Sequence, residues 1–241
     1  RKEEELLSII PKDRKRSYEM RDIVKLVFDK DSFFEMTKFF GKGIITGFAR
    51  INGFPVAIFA NDSNFYAGSM SAEGAQKTSR FIRLCDTFRI PIVSLVDEPG
   101  FLIGPDAERA GTILHGTEAV LATTESKVPW TTIMIRKSFG VAAAAHYGPD
   151  GYVLAWPSAE SGPLPLEGGV AVAFKKEIAS AKNPEAKRKE LEEKMAKNQS
   201  PFPRAEAFSV HEIIDPRETR KYIALWAERI QSQLKASLMN R

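Results

Sequence analysis

The chain has 241 residues, 43% of them apolar, which is enough to bury a hydrophobic core in one large domain or two small ones. Its formal net charge of +4 comes from 35 Lys and Arg residues scattered among 31 Asp and Glu residues, a distribution that does not indicate a nucleic-acid partner. No apolar run reaches the length of a membrane span and the charged start is not a signal peptide, so we expect a soluble protein.

The first sixty residues contain two predicted helices and a predicted hairpin. Apolar side chains within 23–27 indicate a helix, and a second short helix is predicted around residues 33–34. Two β-rich runs, 44–51 and 55–60, are separated by the dipeptide Asn52-Gly53, which is the strongest short sequence pattern for a hairpin. The chain does not begin with Met, and we expect it to be a fragment of a longer protein.

Helices and strands alternate over the rest of the chain. The predicted elements are a helix over 72–89, a strand ending at Val96, a long helix over 105–125, a strand over 131–136, an alanine-rich helix, a strand over 152–156, a helix opened by Gly168 and Gly169, a charged helix over 184–199 and a final helix over 217–238. Such alternation predicts a mostly parallel sheet, and periodicity alone suggests a Rossmann-like fold. The glycine-rich nucleotide-binding patterns of such folds are missing.

Cysteine and histidine usage gives no indication of a metal site. Cys85 is the only cysteine, which excludes an internal disulfide and is typical of a cytoplasmic protein. We interpret Cys85 as a small core residue in preference to a nucleophile. The three histidines, His115, His146 and His211, lie far apart along the chain, so we expect no metal. His115 is spaced to share a helix face with Glu108 and Glu118, where a surface cluster is favoured over a catalytic base.

Two apolar strands each run into a glycine turn and then a helix start. The first turn is Gly100-Phe101, and the second is the segment Gly140-Val141-Ala142. Glycine allows a sharp turn, and the amide groups at a helix start lack acceptors, so the two turns could build an oxyanion hole. The alternative is that glycines simply follow strands in any α/β protein. Asp97 and Glu98, just before the first turn, are interpreted as turn-capping or partner-binding carboxylates in preference to a catalytic pair.

Several ordered motifs carry a resemblance to a known family. They are Asp97 to Gly104, Glu108, His115-Gly116, Val128-Pro129, Arg136 to Gly140 and Ala155 to Glu160. In this order they resemble the C-terminal half of the carboxyltransferase (beta) subunit of biotin-dependent acyl-CoA carboxylases, of the propionyl-CoA, acetyl-CoA or methylcrotonyl-CoA type. The resemblance implies an α/β crotonase-like fold, a superhelix of β-β-α units, as a single domain over 1–241. It also implies that the N-terminal, acyl-CoA-binding half is absent from this chain.

The resemblance implies the transfer of a carboxyl group from carboxybiotin to the α-carbon of an acyl-CoA. Biotin would arrive on a biotin carboxyl carrier protein, with a biotin carboxylase subunit, and the N-terminal domain of a neighbouring subunit would complete the site of a homo-oligomer. Backbone donors would come from Gly100, Phe101, Gly140, Val141 and Ala142, with no metal. Ala144 stands at a position linked with acyl-chain choice in relatives, where an acid is common.

Two alternatives remain at this point. The same transfer runs in the opposite direction in biotin-dependent acyl-CoA decarboxylases, and the sequence does not assign the direction. A non-catalytic crotonase-like assembly module is the other alternative, because Val141 stands where relatives carry glycine and its branched side chain is stiff. With half of the usual subunit missing, we expect the isolated chain to be inactive.

Overall fold

The structure, a computed structural model, describes residues 2–239, except for the side chains of residues 167 and 237–239. Its strands are β1 Phe34–Met36, β2 Ile44–Ile51, β3 Phe54–Asn61, β4 Ile92–Glu98, β5 Trp130–Phe139, β6 Tyr152–Ala155, β7 Glu160–Gly162 and β8 Glu212–Ile213. Its helices are α1 Met20–Val27, α2 Ala72–Phe88, α3 Pro105–Arg109, α4 Thr112–Thr124, α5 Gly140–Ala144, α6 Leu166–Ala173, α7 Lys175–Ser180, α8 Pro184–Gln199, α9 Pro201–Glu206, α10 Thr219–Arg229 and α11 Gln231–Met239. Short 3-10 turns occupy Glu4–Leu7, Tyr66–Gly68 and Pro216–Glu218.

The strands form one sheet in the order β1-β2-β3-β4-β5-β6-β8, and β7 pairs with the far end of β5. The pairs β1·β2 and β2·β3 are antiparallel, and every pair from β3 onward is parallel. The prediction of a mostly parallel sheet is therefore confirmed. Parallel strands bring their carboxyl ends to one edge of the sheet, and that edge carries the loops considered below.

Helices cover both faces of the sheet. Alternate residues of β3 divide between two apolar clusters: Val56, Ile58 and Ala60 pack with α1 and α10, whereas Ala57 and Phe59 pack with α2 and α4. The central strand β4 lies between these two faces, and every one of its residues is buried, including the polar Ser94, Asp97 and Glu98. Cys85 lies in the second cluster and is fully buried, as predicted.

The predicted hairpin is confirmed as β2 and β3. Asn52 and Gly53 have φ angles of 49° and 81°, the paired positive values that a two-residue hairpin turn requires. The Asp29 carboxylate accepts both turn amides, at 3.1 Å and 2.8 Å, and a 2.6 Å hydrogen bond from Arg220. These contacts tie the hairpin to α10, more than 160 residues later in the chain.

The second short helix was wrongly predicted, because residues 34–36 form the edge strand β1. A short apolar run does not distinguish helix from strand, and here antiparallel pairing with β2 decides the outcome. The long helix predicted over 105–125 is broken between α3 and α4, since Gly111 adopts a φ of 72°. The final helix is likewise divided, into α10 and α11, at Ile230.

Two glycines offer a matched test of packing in this fold. A Cβ at Gly148 would lie 2.1 Å from the ring of the buried Trp130, whereas one at Gly168, within α6, would meet no heavy atom within 4 Å. We expect Gly148→Ala to lower the free energy of unfolding by about 1–3 kcal/mol through overpacking. Gly168→Ala should raise it by about 0.5–1 kcal/mol, since alanine favours helix. Urea unfolding followed by circular dichroism measures both, and equal effects of the same sign would contradict the prediction.

Candidate functional site

The two glycine turns lie side by side because of strand register. β4 and β5 are neighbouring parallel strands, and Glu98 pairs with Ser138. Gly100 and Gly140 each lie two residues beyond this pair, so both turns leave the same edge of the sheet on adjacent strands, which are spaced about 4.8 Å apart. Both glycines have positive φ angles, 132° and 65°. The structure thus brings together the two segments that the sequence predicted as backbone donors.

The first turn is fixed by a bridge to Met70. The Met70 amide donates to the Gly100 carbonyl at 3.1 Å, and the Leu102 amide donates to the Met70 carbonyl at 2.9 Å. In this parallel pattern the Phe101 amide points away from Met70. The Gly100 amide instead donates to Glu98 Oε1 at 3.0 Å. Within this turn Phe101 is therefore the candidate donor, and Gly100 supplies the conformation.

The second segment begins α5 directly after β5. The first amides of a helix have no acceptor within the helix, so those of Val141 and Ala142 are candidate donors. The positive φ falls on Gly140, whereas Val141 lies within the helix, whose backbone conformation suits a branched residue. The Val141 side chain is 68% exposed, and the Ala142 side chain is buried among the residues beneath the helix.

A cleft of about 290 Å³ opens beside the second segment. Its lining residues are Met134, Ser138, Gly140, Ala143, Ala144, Tyr147, Ser161, Gly162, Arg204, Ser209 and Val210. Arg204 Nε donates to Ser161 Oγ at 3.0 Å, and the Ser138 and Tyr147 hydroxyls lie 2.7 Å apart. Ala144 is exposed and faces this cleft together with a cation. A larger cavity, of about 710 Å³, lies between β1 and α2 and contains none of the predicted donors.

The two carboxylates before the first turn point into the protein. Asp97 accepts hydrogen bonds from Arg136 Nη2 at 2.9 Å and from the Lys137 amide at 3.0 Å. Glu98 is fully buried and caps the turn through the Gly100 amide, and burial raises its pKa to about 8. The turn-capping interpretation therefore holds for Glu98, while Asp97 pairs with a cation of its own chain.

One residue near the turns was not singled out by the sequence. His146 follows α5 and is fully buried, with Nδ1 2.9 Å from Ser94 Oγ and its ring stacked on Phe59 at 4.2 Å. Ser94 and His146 lie 52 residues apart, so no local pattern could have joined them. His115, by contrast, forms the predicted surface cluster with Glu118, at 3.2 Å, and with Gln76.

Among the side chains that the structure describes in residues 2–236, residue 167 aside, no group of three or more His, Cys, Asp or Glu is arranged to hold a metal ion. In the same part of the chain, no helix combines the length and the apolar character needed to cross a membrane.

Comparison with known proteins identifies the family. The carboxyl transferase domain model matches residues 1–240, and the chain belongs to that family. The chain is 37% identical to the carboxyltransferase subunit of propionyl-CoA carboxylase from Haloferax mediterranei over 238 residues, 97% of this chain and 46% of that protein. It is also 37% identical to methylmalonyl-CoA decarboxylase subunit alpha from Propionigenium modestum over 224 residues, 91% of this chain and 43% of that protein. The chain thus spans less than half the length of these relatives.

Comparison with solved structures supports the same family assignment. The transcarboxylase 12S hexamer, solved with methylmalonyl-coenzyme A and methylmalonic acid bound, superimposes with a TM-score of 0.91 at 36% identity. The match covers 96% of this chain and 45% of that one. The α/β crotonase-like expectation is confirmed, and the Rossmann-like alternative from periodicity alone is wrong, because β-β-α units can imitate simple alternation.

Packing on the first turn gives a testable consequence. A Cβ at Gly116 of α4 would lie 2.4 Å from the Phe101 ring. We expect Gly116→Ala to displace that ring and lower the free energy of unfolding by about 1–3 kcal/mol. Thr117→Ala, on the exposed neighbouring position, is the matched control and should change stability by less than about 0.5 kcal/mol. Thermal and urea unfolding measure both variants, and equal stabilities would show that Phe101 is not held against α4.

Proposed function

We propose that this chain is the carboxybiotin-binding half of a biotin-dependent acyl-CoA carboxyltransferase. The supporting observation is the pair of adjacent backbone turns on β4 and β5 in a chain of the carboxyl transferase family. The reaction moves a carboxyl group from carboxybiotin to the α-carbon of an acyl-CoA. A single cysteine, buried in the core, agrees with a cytoplasmic enzyme.

The residues present suit a planar ureido group that must approach a backbone. The segment at the start of α5 carries small residues, Ala142 to Ala144, and Gly140 is exposed beside an open cleft. The Val141 side chain points outward and leaves the helix start accessible. These features favour a ligand that is recognised through amide groups and not through a charged side chain.

The chain would act through fixed dipoles. When bound, carboxybiotin supplies the carboxyl group. The amides of Phe101, Val141 and Ala142 would donate to the ureido oxygen and stabilise the negative charge that it gains during transfer. Because these donors are held by strand register and by the Met70 bridge, they need little reorganisation. Gly100 and Gly140 supply the positive φ angles that aim the donors.

The partners follow from this assignment. The enolate oxygen of the acyl-CoA would use a second oxyanion hole, in the N-terminal domain of a neighbouring subunit, so the isolated chain is inactive in this proposal. Ile103, Ile113, Leu114 and Leu121 expose between 49% and 86% of their surface around α4, and they form an apolar face that such a domain or a second copy would cover. A biotin carboxyl carrier protein and a biotin carboxylase subunit would complete a homo-oligomeric enzyme.

A second candidate is the decarboxylase direction, which the Propionigenium modestum relative favours. The same donors would then act while biotin accepts the carboxyl group. The assembly-module alternative predicts that the wild-type chain does not bind biotin. Isothermal titration of the chain with biotin separates that alternative from both enzymes.

Deleting one donor tests the proposed hole. Val141→Pro removes the amide of Val141, a candidate donor in the first helical turn, where proline is tolerated. In the complete subunit, with both halves present, we expect the rate with free biotin to fall about 10²–10³-fold. Val141→Ala keeps the amide and should stay within a few-fold of wild type. If a folded Val141→Pro protein, checked by circular dichroism, reacts as fast as Val141→Ala, the segment is not the hole.

Ala144 provides a separate test of specificity. Ala144→Asp places an acid in the cleft that contains Arg204 and leaves every backbone donor in place. In the complete subunit, with both halves present, we expect the order of kcat/KM among acetyl-, propionyl- and longer acyl-CoAs to change, while the affinity for biotin stays within about twofold. Unchanged acyl-CoA preference together with weakened biotin binding would place Ala144 at the biotin and not at the acyl chain.

A further inference from the structure

The Glu98 side chain joins the first turn to the interior. Its Oε1 accepts hydrogen bonds from the amides of Gly100 at 3.0 Å and Met70 at 3.3 Å, and its Oε2 accepts from Asn61 Nδ2 at 2.9 Å. The residue is fully buried. Among the ion pairs found within residues 2–239, the one that includes Glu98 is with His146. An ionised carboxylate here would therefore be a buried charge without a permanent cation.

The second buried group at this position is the His146 imidazole, which faces the Glu98 carboxyl group. Its Nε2 is buried and has no hydrogen-bond partner within the described part of the chain, and it lies 3.7 Å from Glu98 Oε2. Its Nδ1 lies 2.9 Å from Ser94 Oγ, which can accept a hydrogen bond from a protonated Nδ1. With Nδ1 protonated, Nε2 is an acceptor that faces an acid, and a buried acceptor without a donor is unfavourable.

The two residues also connect the two turns. Glu98 holds the Gly100 amide, and the His146 amide donates to the Ala143 carbonyl at 2.9 Å, at the end of α5. The Thr132 hydroxyl of β5 donates to the His146 carbonyl at 2.8 Å, which holds the His146 backbone against β5. The contact between the side chains thus lies beneath both candidate donor segments.

We propose that Glu98 is a positioning residue held as a neutral carboxylic acid, with its O–H directed toward His146 Nε2, 3.7 Å away, and the Gly100 amide on its carbonyl oxygen. The Phe101 amide is then aimed outward without an anion behind it. This role rests on the proposed function, because an anion directly beneath an oxyanion hole would oppose the charge that the hole stabilises. Neutral Glu98 holds the turn and leaves the field of the donors intact.

The pKa values agree with this geometry. Burial raises the pKa of Glu98 to about 8 and lowers the pKa of His146 to about 3, so both groups are neutral at pH 7. The neighbours from β3 and from the bridge, Asn61 and Met70, carry no charge. The charge that acts on Glu98 is that of Asp97, which is paired with Arg136 on β5.

The sign of the pH effect follows from proton linkage. The folded chain holds the Glu98 proton more tightly than the unfolded chain, in which the ordinary value of 4.5 applies. Glu98 therefore lowers the free energy of unfolding as the pH rises from about 4.5 to about 8, and its contribution is constant above that range. Replacing it by Gln removes this slope.

The decisive experiment follows the Gly100 amide by ¹H–¹⁵N NMR of the full chain between pH 6 and 10. We expect a transition near pH 8 in the wild type and none in Glu98→Gln. Glu118→Gln, which alters the exposed Glu118–His115 pair, should leave the transition in place. No transition in the wild type, or one that persists in Glu98→Gln, overturns the proposal.

If Glu98→Gln fails to fold, the ¹⁵N chemical shifts of the histidine side chains in the wild type provide a second test, because they report the protonation state of His146. We expect His146 to be neutral and protonated on Nδ1 from pH 5 to 8, and an imidazolium at pH 7 would overturn the proposal. In the complete subunit, the wild-type rate with free biotin should fall by about tenfold more between pH 7 and 9 than the rate of Glu98→Gln. If the wild type and Glu98→Gln have identical pH profiles although the Gly100 transition is present, the positioning role is wrong. The proposed function would not be affected by that result, because Val141→Pro tests it separately.

Discussion

The parallel pairing of β4 with β5 is the constraint on which the rest of this structure depends. The Glu98–Ser138 register places one glycine turn beside the other, and each turn takes its direction from the strand before it. A slip of one residue would reverse the faces of a whole strand, and here both faces are buried. The apolar clusters fix the regular register from Ile92 to Val96, and a register shift between Val96 and Glu98 then places Glu98 opposite Ser138 and sets the spacing of the candidate donors.

Buried polar groups complete the arrangement behind that edge. Asp97 and Arg136 form a paired contact between β4 and β5, which neutralises both charges where water is absent. Removing one partner of such a pair leaves an uncompensated buried charge. The pair therefore holds β4 and β5 together at this position. Glu98 and Asn61 hold the first turn in place through hydrogen bonds between uncharged groups. The candidate donors at the surface are thus positioned by buried polar groups that lie behind the turns.

Local patterns predicted the parts of the fold that depend on local conformation. Asn52-Gly53 gave the hairpin because both residues tolerate positive φ, and the glycines after β4 and β5 gave the turns for the same reason. The break at Gly111 was missed, since a glycine within a helical pattern does not reveal its own φ. The contact of His146 with Ser94 and Glu98 depends on a crossover between parallel strands, and no spacing along the chain encodes it.

Backbone recognition, as proposed for this site, requires no catalytic triad and no metal cluster, and the sequence contains no pattern for either. Amide dipoles require only a defined φ and ψ, and many side chains satisfy that requirement. At Val141 the helical backbone accepts a branched residue because the strained conformation falls on Gly140, one position earlier. The substitution that suggested a degenerate site is therefore compatible with an intact row of candidate donors, and the proposed chemistry depends on the conformation of the turns more than on the identity of their side chains.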